Sequence, residues 1–175
     1  MIRVLLIRAV NVGGATMPMG ELRAVLSELG AAEPRTYLAS GNAVADVPGD
    51  PAAFDRALAD AIEGRFGFRR DVVSRTPHEV ADALVAHPFE VLDPKYSYVS
   101  FLVGAPSPDG IAAAGDVPTG EDRWQVAGRE LHLRFAVGMG HATLDTDRLH
   151  RRLGVAGTAR NLRTVRALVD LAGHA

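Results

Sequence analysis

Hydrophobic and polar positions alternate along the chain with two distinct periods, and the change from one to the other marks out the elements. Ile2 to Ile7 is a nearly unbroken apolar run rich in β-branched residues, the pattern of a central strand covered on both faces. It ends in Val10-Asn-Val-Gly-Gly14, a turn signal. Pro18 suits a first helical turn, and Met19, Leu22, Val25, Leu26 and Leu29 then recur at helical spacing until Gly30, placed to close the helix. Thr36-Tyr-Leu-Ala and Ala43-Val-Ala flank Ser40-Gly-Asn42, whose glycine and asparagine tolerate positive φ, so a hairpin is expected there. Asp50-Pro51 opens a second helix with Phe54, Leu58, Ile62 and Phe66 at four-residue steps, and Val72-Val73 begins a fourth strand. The resulting order, β-α-β-β-α-β, predicts an α+β fold with a ferredoxin-like, split βαβ N-terminal half.

A helix over about 77–86 leads to the turn region Pro88-Phe89 and Asp93-Pro94, which predicts a boundary between residues 1–90 and a second, smaller α+β subdomain over 91–175. That second part reads as a partial echo of the first. Ser97 to Val103 alternates as a strand, a weak Ala-rich helix covers about 107–115, and Arg123-Trp-Gln-Val pairs with Glu130 to Phe135 around Gly128. In that last strand Leu131, Leu133 and Phe135 are expected to face the core, and Glu130, His132 and Arg134 the solvent. Helices over about 145–153 and 160–172 close the chain, the last one capped by Thr158 or Asn161.

Composition narrows the classes of function. The chain of 175 residues has no cysteine, which excludes disulfides, thiolate metal sites and a thiol nucleophile. Its longest stretches without charge, 9–20 and 96–108, fall short of the roughly 20 apolar residues of a membrane span. Four apolar residues between Arg3 and Arg8 are too few for a secretory signal of about 7–15, so a soluble, cytoplasmic protein is expected. Lys95 is the one lysine among 19 basic residues, so arginine preference carries no message about nucleic acid by itself. Net charge is -2, and the only asymmetry is a basic tail over 141–175.

In a split βαβ unit the third strand runs antiparallel beside the first, so the exit of the first strand and the hairpin lie at one end of the sheet. Arg8, Asn11, Ser40 and Asn42 should meet there, with backbone N–H groups freed by Gly13 and Gly14 at the start of the first helix. Free N–H donors, a helix N-terminus and an arginine fork suit a phosphate or carboxylate. The plainer reading is that the glycines and asparagines build tight turns, Ser40 caps one, and Arg8 pairs with a surface acid. The Gly-Lys-Ser/Thr of a Walker A loop is absent.

Four segments carry a resemblance across the chain: Arg8-Ala-Val-Asn-Val-Gly-Gly14, Met17-Pro-Met-Gly-Glu-Leu-Arg23, Arg35-Thr-Tyr-Leu-Ala-Ser-Gly-Asn42 and Thr158-Ala-Arg-Asn-Leu-Arg-Thr-Val165. They resemble the domain-of-unknown-function 1697 family, with its Arg-Gly-Ile-Asn-Val-Gly-Gly and Thr-Ala-Arg-Asn-Trp-Asn-Thr-Val motifs. The resemblance implies two α+β subdomains and no established activity, and it singles out Arg160, Asn161 and Thr164 as the match to the closing motif. Ala9 stands where the family has Gly, and Leu162 where it has Trp. Gly138-Met-Gly-His-Ala-Thr-Leu144 replaces a common Gly-x-Gly-Arg-Ser-Lys-Leu, which removes the lysine from that loop.

The tail has two readings. Arg160, Arg163 and Arg166 opposite Leu162, Val165, Leu168 and Val169, with Arg148, Arg151 and Arg152 on the preceding helix, form either a basic surface for RNA or a pair of solvated helix faces. Histidines at 78, 87, 132, 141, 150 and 174 are scattered, so no metal and no cofactor are expected. No Gly-x-Ser-x-Gly elbow or dinucleotide fingerprint is present. The favoured reading is a binding module for a phosphate-bearing small molecule or RNA at the end of the first sheet, completed by Arg160 and Asn161. The alternatives are a small enzyme acting on an anionic metabolite, with His141 as its base, and a protein that works through partner surfaces.

Overall fold

A computed structural model describes residues 1–173; His174 lies outside the described residues. The chain divides into two compact units, residues 1–81 together with 167–173, and residues 82–166.

The first unit contains β1 (Ile2–Ile7), α1 (Met19–Glu28), β2 (Ala32–Thr36), β3 (Asn42–Asp46), α2 (Pro51–Phe66) and β4 (Val72–Arg75). Its sheet has the order β2-β3-β1-β4, and every neighbouring pair is antiparallel. β3 therefore lies beside β1 and opposed to it, as a split βαβ arrangement requires. Alternation along β1 and β3 sends Leu5, Ile7, Ala43 and Ala45 to one face, where they pack with Leu22, Val25 and Leu26 of α1 and Phe54, Leu58 and Ile62 of α2. Val4, Leu6 and Val44 on the opposite face are also fully buried, which explains why the first strand reads as continuously apolar. α2 starts as its sequence predicts, with the Asp50 carboxylate accepting from the Ala53 N–H at 2.8 Å.

β2 departs from its predicted place. The strand is Ala-Glu-Pro-Arg-Thr, not Thr36 to Ala39, and Leu38 and Gly41 adopt φ of 56° and 77° within the turn that follows. β2 is an edge strand, where apolar alternation is not required and Pro34 withholds no necessary hydrogen bond. Its register with β3 shifts between Ala32 and Arg35, beside Glu33 at φ 46°.

The second unit holds β5 (Ser97–Leu102), α4 (Pro108–Ala114), β6 (Arg123–Ala127), β7 (Glu130–Arg134), α5 (Thr146–Leu153) and β8 (Gly157–Asn161). α3 (Pro77–Val85) and α6 (Leu162–Gly173) each cross from one unit's residues into the other's. The second sheet has the order β6-β7-β5-β8, again fully antiparallel. With α4 and α5 between its strands, this is the element order and strand order of the first unit repeated in full, more than the partial echo expected. Leu102, Leu131, Leu133 and Phe135 pack with Leu149 and Leu153 on one face.

Two expectations about this unit are corrected. The last helix, expected from about residue 160, starts at Leu162 with Asn161 as its cap, and residues 157–161 form β8, whose polar Gly-Thr-Ala-Arg-Asn lacks the apolar alternation that marks a strand. Arg160 accordingly sits in a sheet and is buried, not on an outward helix face with Arg163 and Arg166. His132 is not solvent-facing either: it is 1% exposed, because the sheet face opposite the helices is covered as well.

Candidate functional site

The end of β1 is shaped by its neighbours. Ile7 donates its N–H to the Gly41 carbonyl at 2.8 Å and Arg8 donates to the Asp71 carbonyl at 3.0 Å, so the hairpin and the segment before β4 both reach the β1 exit. A Cβ on Gly41 would stand 2.6 Å from Val10 and 2.9 Å from the Ile7 carbonyl, which only glycine avoids. The expected meeting of residues 8–14 with 40–42 is thus present.

What the polar residues do there differs among them. Asn11, at φ 56°, donates through Nδ2 to the carbonyls of Met17 (3.0 Å) and Ala39 (2.5 Å), and its Oδ1 accepts from the Met17 N–H at 2.8 Å. It ties the loop to the start of α1 and to the hairpin at once. Asn42 is fully buried and donates to the Tyr37 carbonyl and to Ser40 Oγ, both at 2.9 Å. These two asparagines and Ser40 brace turns. Gly13 and Gly14, at φ 57° and 86°, are exposed, and a Cβ at either would meet nothing within 4 Å. Arg8 is exposed, its NH1 3.6 Å from an Asp71 carboxylate oxygen.

Arg8, Ala9, Arg69, Arg70 and Asp71 line an open cleft of about 270 Å³. Arg70 donates through Nε to the Ala9 carbonyl at 3.1 Å and lies 5.0 Å over the Phe68 ring, which fixes its guanidinium at the wall. Arg69 pairs with Asp60 and Glu63, which raise its pKa above the ordinary arginine value. Arg69 and Arg70 were missed in the sequence, although a signal existed. Ile7 pairs with Val72, so the residues just before β4 must flank those just after β1, and an Arg-Arg pair occupies that position.

The closing-motif residues are engaged within their own unit. Arg160 donates to Thr158 Oγ1 at 2.6 Å and to the Ala159 carbonyl at 2.9 Å, and burial lowers its pKa to about 10, still cationic at neutral pH. Asn161 caps α6, its Oδ1 accepting from the Thr164 N–H at 2.9 Å. Arg75 is the counterpart of Arg160 in the first unit: each is buried on the last strand of its sheet, facing Val4 or Val99 across the ladder, and donates to the preceding carbonyl. The residue after each caps the next helix, Thr76 doing so through a reciprocal pair with Glu79.

Ser100 and His150 form a pair that sequence spacing did not reveal. His150 Nδ1 is 2.7 Å from the Thr146 carbonyl, which makes Nδ1 the donor and leaves Nε2 to accept from Ser100 Oγ at 3.0 Å. Ser100 is fully buried and a Cβ on Gly157 would stand 2.6 Å from its hydroxyl, so no substrate reaches it. The pair is part of the packing. His141, the base considered for an enzyme, is exposed in a single 3₁₀ turn, Met139–His141.

Among the described residues no group of three or more His, Cys, Asp and Glu is arranged to hold a metal ion, and no helix is long and apolar enough to cross a membrane. Compared with known proteins, a family model described as "Protein of unknown function (DUF1697)" matches residues 1–132. No curated protein matches. Among solved structures the chain is similar to the conserved bacterial protein SP0830 from Streptococcus pneumoniae, with 17% identity, a TM-score of 0.73 and 98% of each chain covered. At that identity the likeness is one of fold.

Proposed function

Since the chain belongs to the DUF1697 family of proteins of unknown function, its chemistry has to come from its own residues, and we propose that the cleft at the exit of β1 binds a phosphate-bearing ligand. The observation that carries this reading is the cleft lining, in which Arg8 and Arg70 stand with Asp71 beside Arg69, itself paired to Asp60 and Glu63. Guanidinium groups match the paired oxygens of a phosphate through two parallel hydrogen bonds. Arg70 is pre-positioned by the Ala9 carbonyl and the Phe68 ring, so little rotamer freedom remains to be lost on binding. The exposed Gly13-Gly14 turn, free of side chains, allows a ligand to approach the backbone closely. Asn11 serves the site indirectly by holding that loop, and Asn42 by bracing the hairpin turn beside it.

Thermal unfolding of the wild type and of Arg8→Ala in the presence of inorganic phosphate, a sugar phosphate, ATP and a short RNA tests the reading. A ligand at 100 times its dissociation constant stabilises by about 2.7 kcal/mol, or roughly 5–10 °C for a chain of this size. A rise with one of the phosphates that shrinks in Arg8→Ala is the expected result. Absence of any rise, or an equal rise in both proteins, overturns it. A response to RNA alone, steeply reduced by salt, would identify the ligand as a polyanion.

A further inference from the structure

The outer edge of the second sheet is open. β6 ends the strand order β6-β7-β5-β8, pairs with β7 over all five of its residues without a register shift, and alternates exposed with half-exposed positions. Which of its backbone groups point outward follows from the ladder. Phe135 donates its N–H to the Tyr96 carbonyl, so Ser97 and Arg134 form a pair without mutual hydrogen bonds, and Leu131 and Leu133 turn their backbone groups toward β5. Glu130, His132 and Arg134 therefore bond Ala127, Gln125 and Arg123 of β6, which leaves the N–H and C=O of Trp124 and Val126 facing away from the sheet. Among the described residues no hydrogen bond reaches those four groups. The strand at the same place in the first sheet, β2, is guarded, because Pro34 lacks an N–H and the register breaks beside Glu33. β6, Arg-Trp-Gln-Val-Ala, carries neither device.

We propose that β6 pairs antiparallel with the β6 of a second copy of this chain, about a two-fold axis at Gln125, joining two four-stranded sheets into one. The strand is its own complement in that register. Trp124 stands opposite Val126 of the other copy, so the only residues with outward backbone groups meet each other, and every one of those groups is paired. Their side chains, which already lean on the core of their own unit, add an aromatic to β-branched contact on each side of the axis. Gln125 faces Gln125, where two carboxamides both donate and accept. Arg123 faces Ala127, so no like charges are opposed along the strand. Just beyond it, the same register aims the exposed Glu121 of each copy toward the Arg129 turn of the other, an opposite-charge contact at both ends. A foreign strand could meet the same backbone groups, but the matched side chains and end charges come only from a second copy.

Sedimentation velocity of the full chain from about 1 µM to about 1 mM tests the pairing. The expected result is monomer at the low end and a growing share of dimer at the high end, as suits a contact smaller than a standard interface. Gln125 is exposed, so substituting it leaves the fold in place, and Gln125→Lys sets two ammonium groups against each other where the Cα atoms are about 4.5 Å apart. Gln125→Lys and Gln125→Glu should each weaken the dimer by about 5-fold, and an equal mixture of the two variants should associate more tightly than either alone. Amide exchange of the wild type gives a second readout with a period of two. The Trp124 and Val126 amides should slow as concentration rises, while those of Arg123, Gln125 and Ala127, already bonded to β7, should not change. Monomer at every concentration, a dimer equally strong in Gln125→Lys, or exchange at Trp124 and Val126 that ignores concentration overturns the proposal.

Discussion

Asn11 uses both ends of its carboxamide on the backbone, at a positive φ that asparagine tolerates better than most residues. Asn11→Ala is expected to destabilise by about 1–3 kcal/mol, since the Met17 N–H and two carbonyls lose their partner at once and alanine is strained at φ 56°. Urea unfolding measures it, and an unchanged midpoint would show that the loop contributes nothing to the unit. The buried histidines make a prediction of the opposite kind, carried by pH. Burial, with the neighbouring His132 adding to it, lowers the His87 pKa to about 4, and burial lowers that of His132. The unfolded chain, with histidines near 6.5, therefore takes up protons that the folded chain refuses. Stability should be full above about pH 6.5 and fall as pH drops from there toward 4. A urea midpoint that is flat over that range would contradict the buried, uncharged state of the pair. Asp122 illustrates a third residue-level device: its carboxylate accepts from the N–H groups of Ala136, Thr143 and Leu144 and so holds the irregular chain between β7 and α5.

Elements whose amphipathic period was strong were legible: both helices of the first unit, β1, α5 and the β6–β7 hairpin fall within a few residues of their predicted places. β2 and β8 were not, for one physical reason. Each is an edge strand whose pairing depends on backbone hydrogen bonds and on what the neighbouring strand presents, and neither writes a period-2 pattern into its own residues. β8 has its signal at Gly157, which looks like an ordinary loop glycine. A Cβ there would stand 2.6 Å from Ser100 Oγ, 2.7 Å from Leu102 Cδ2 and 3.2 Å from His150 Nε2. Gly157→Ala must push β8 away from β5 or dislodge the serine–histidine pair, and is expected to cost about 1–3 kcal/mol. Calorimetry checks this, with Gly173→Ala, whose new methyl meets nothing within 4 Å, as the clash-free reference, expected to be no less stable than wild type. For the site, the topology rule placed the first loop beside the hairpin, but which side chains brace and which remain available was beyond sequence. That division depends on hydrogen-bond geometry within a few ångströms, visible only once the turn is built.

For the molecule as a whole, the two sheets share one strand order, and each ends in a buried arginine, a capping residue and a helix. The sequence shows the echo only faintly because the equivalent strands share little beyond Arg75 and Arg160 and the valines opposite them, Val4 and Val99. The grouping of residues 167–173 with residues 1–81 has a consequence for biosynthesis. A ribosome releases β1 to β4 early, yet the last piece of their unit emerges only after residues 82–166, so the first unit is delivered in two instalments separated by the whole of the second. Residues 82–166 are contiguous and have all their parts once Arg166 has left the exit tunnel. A chain truncated after Arg166 should keep slow amide exchange in β5, β7 and β8 while β1, β3 and β4 exchange faster than in the full chain; equal protection in both sheets would refute it. The unit made first in sequence is thus the one completed last in time.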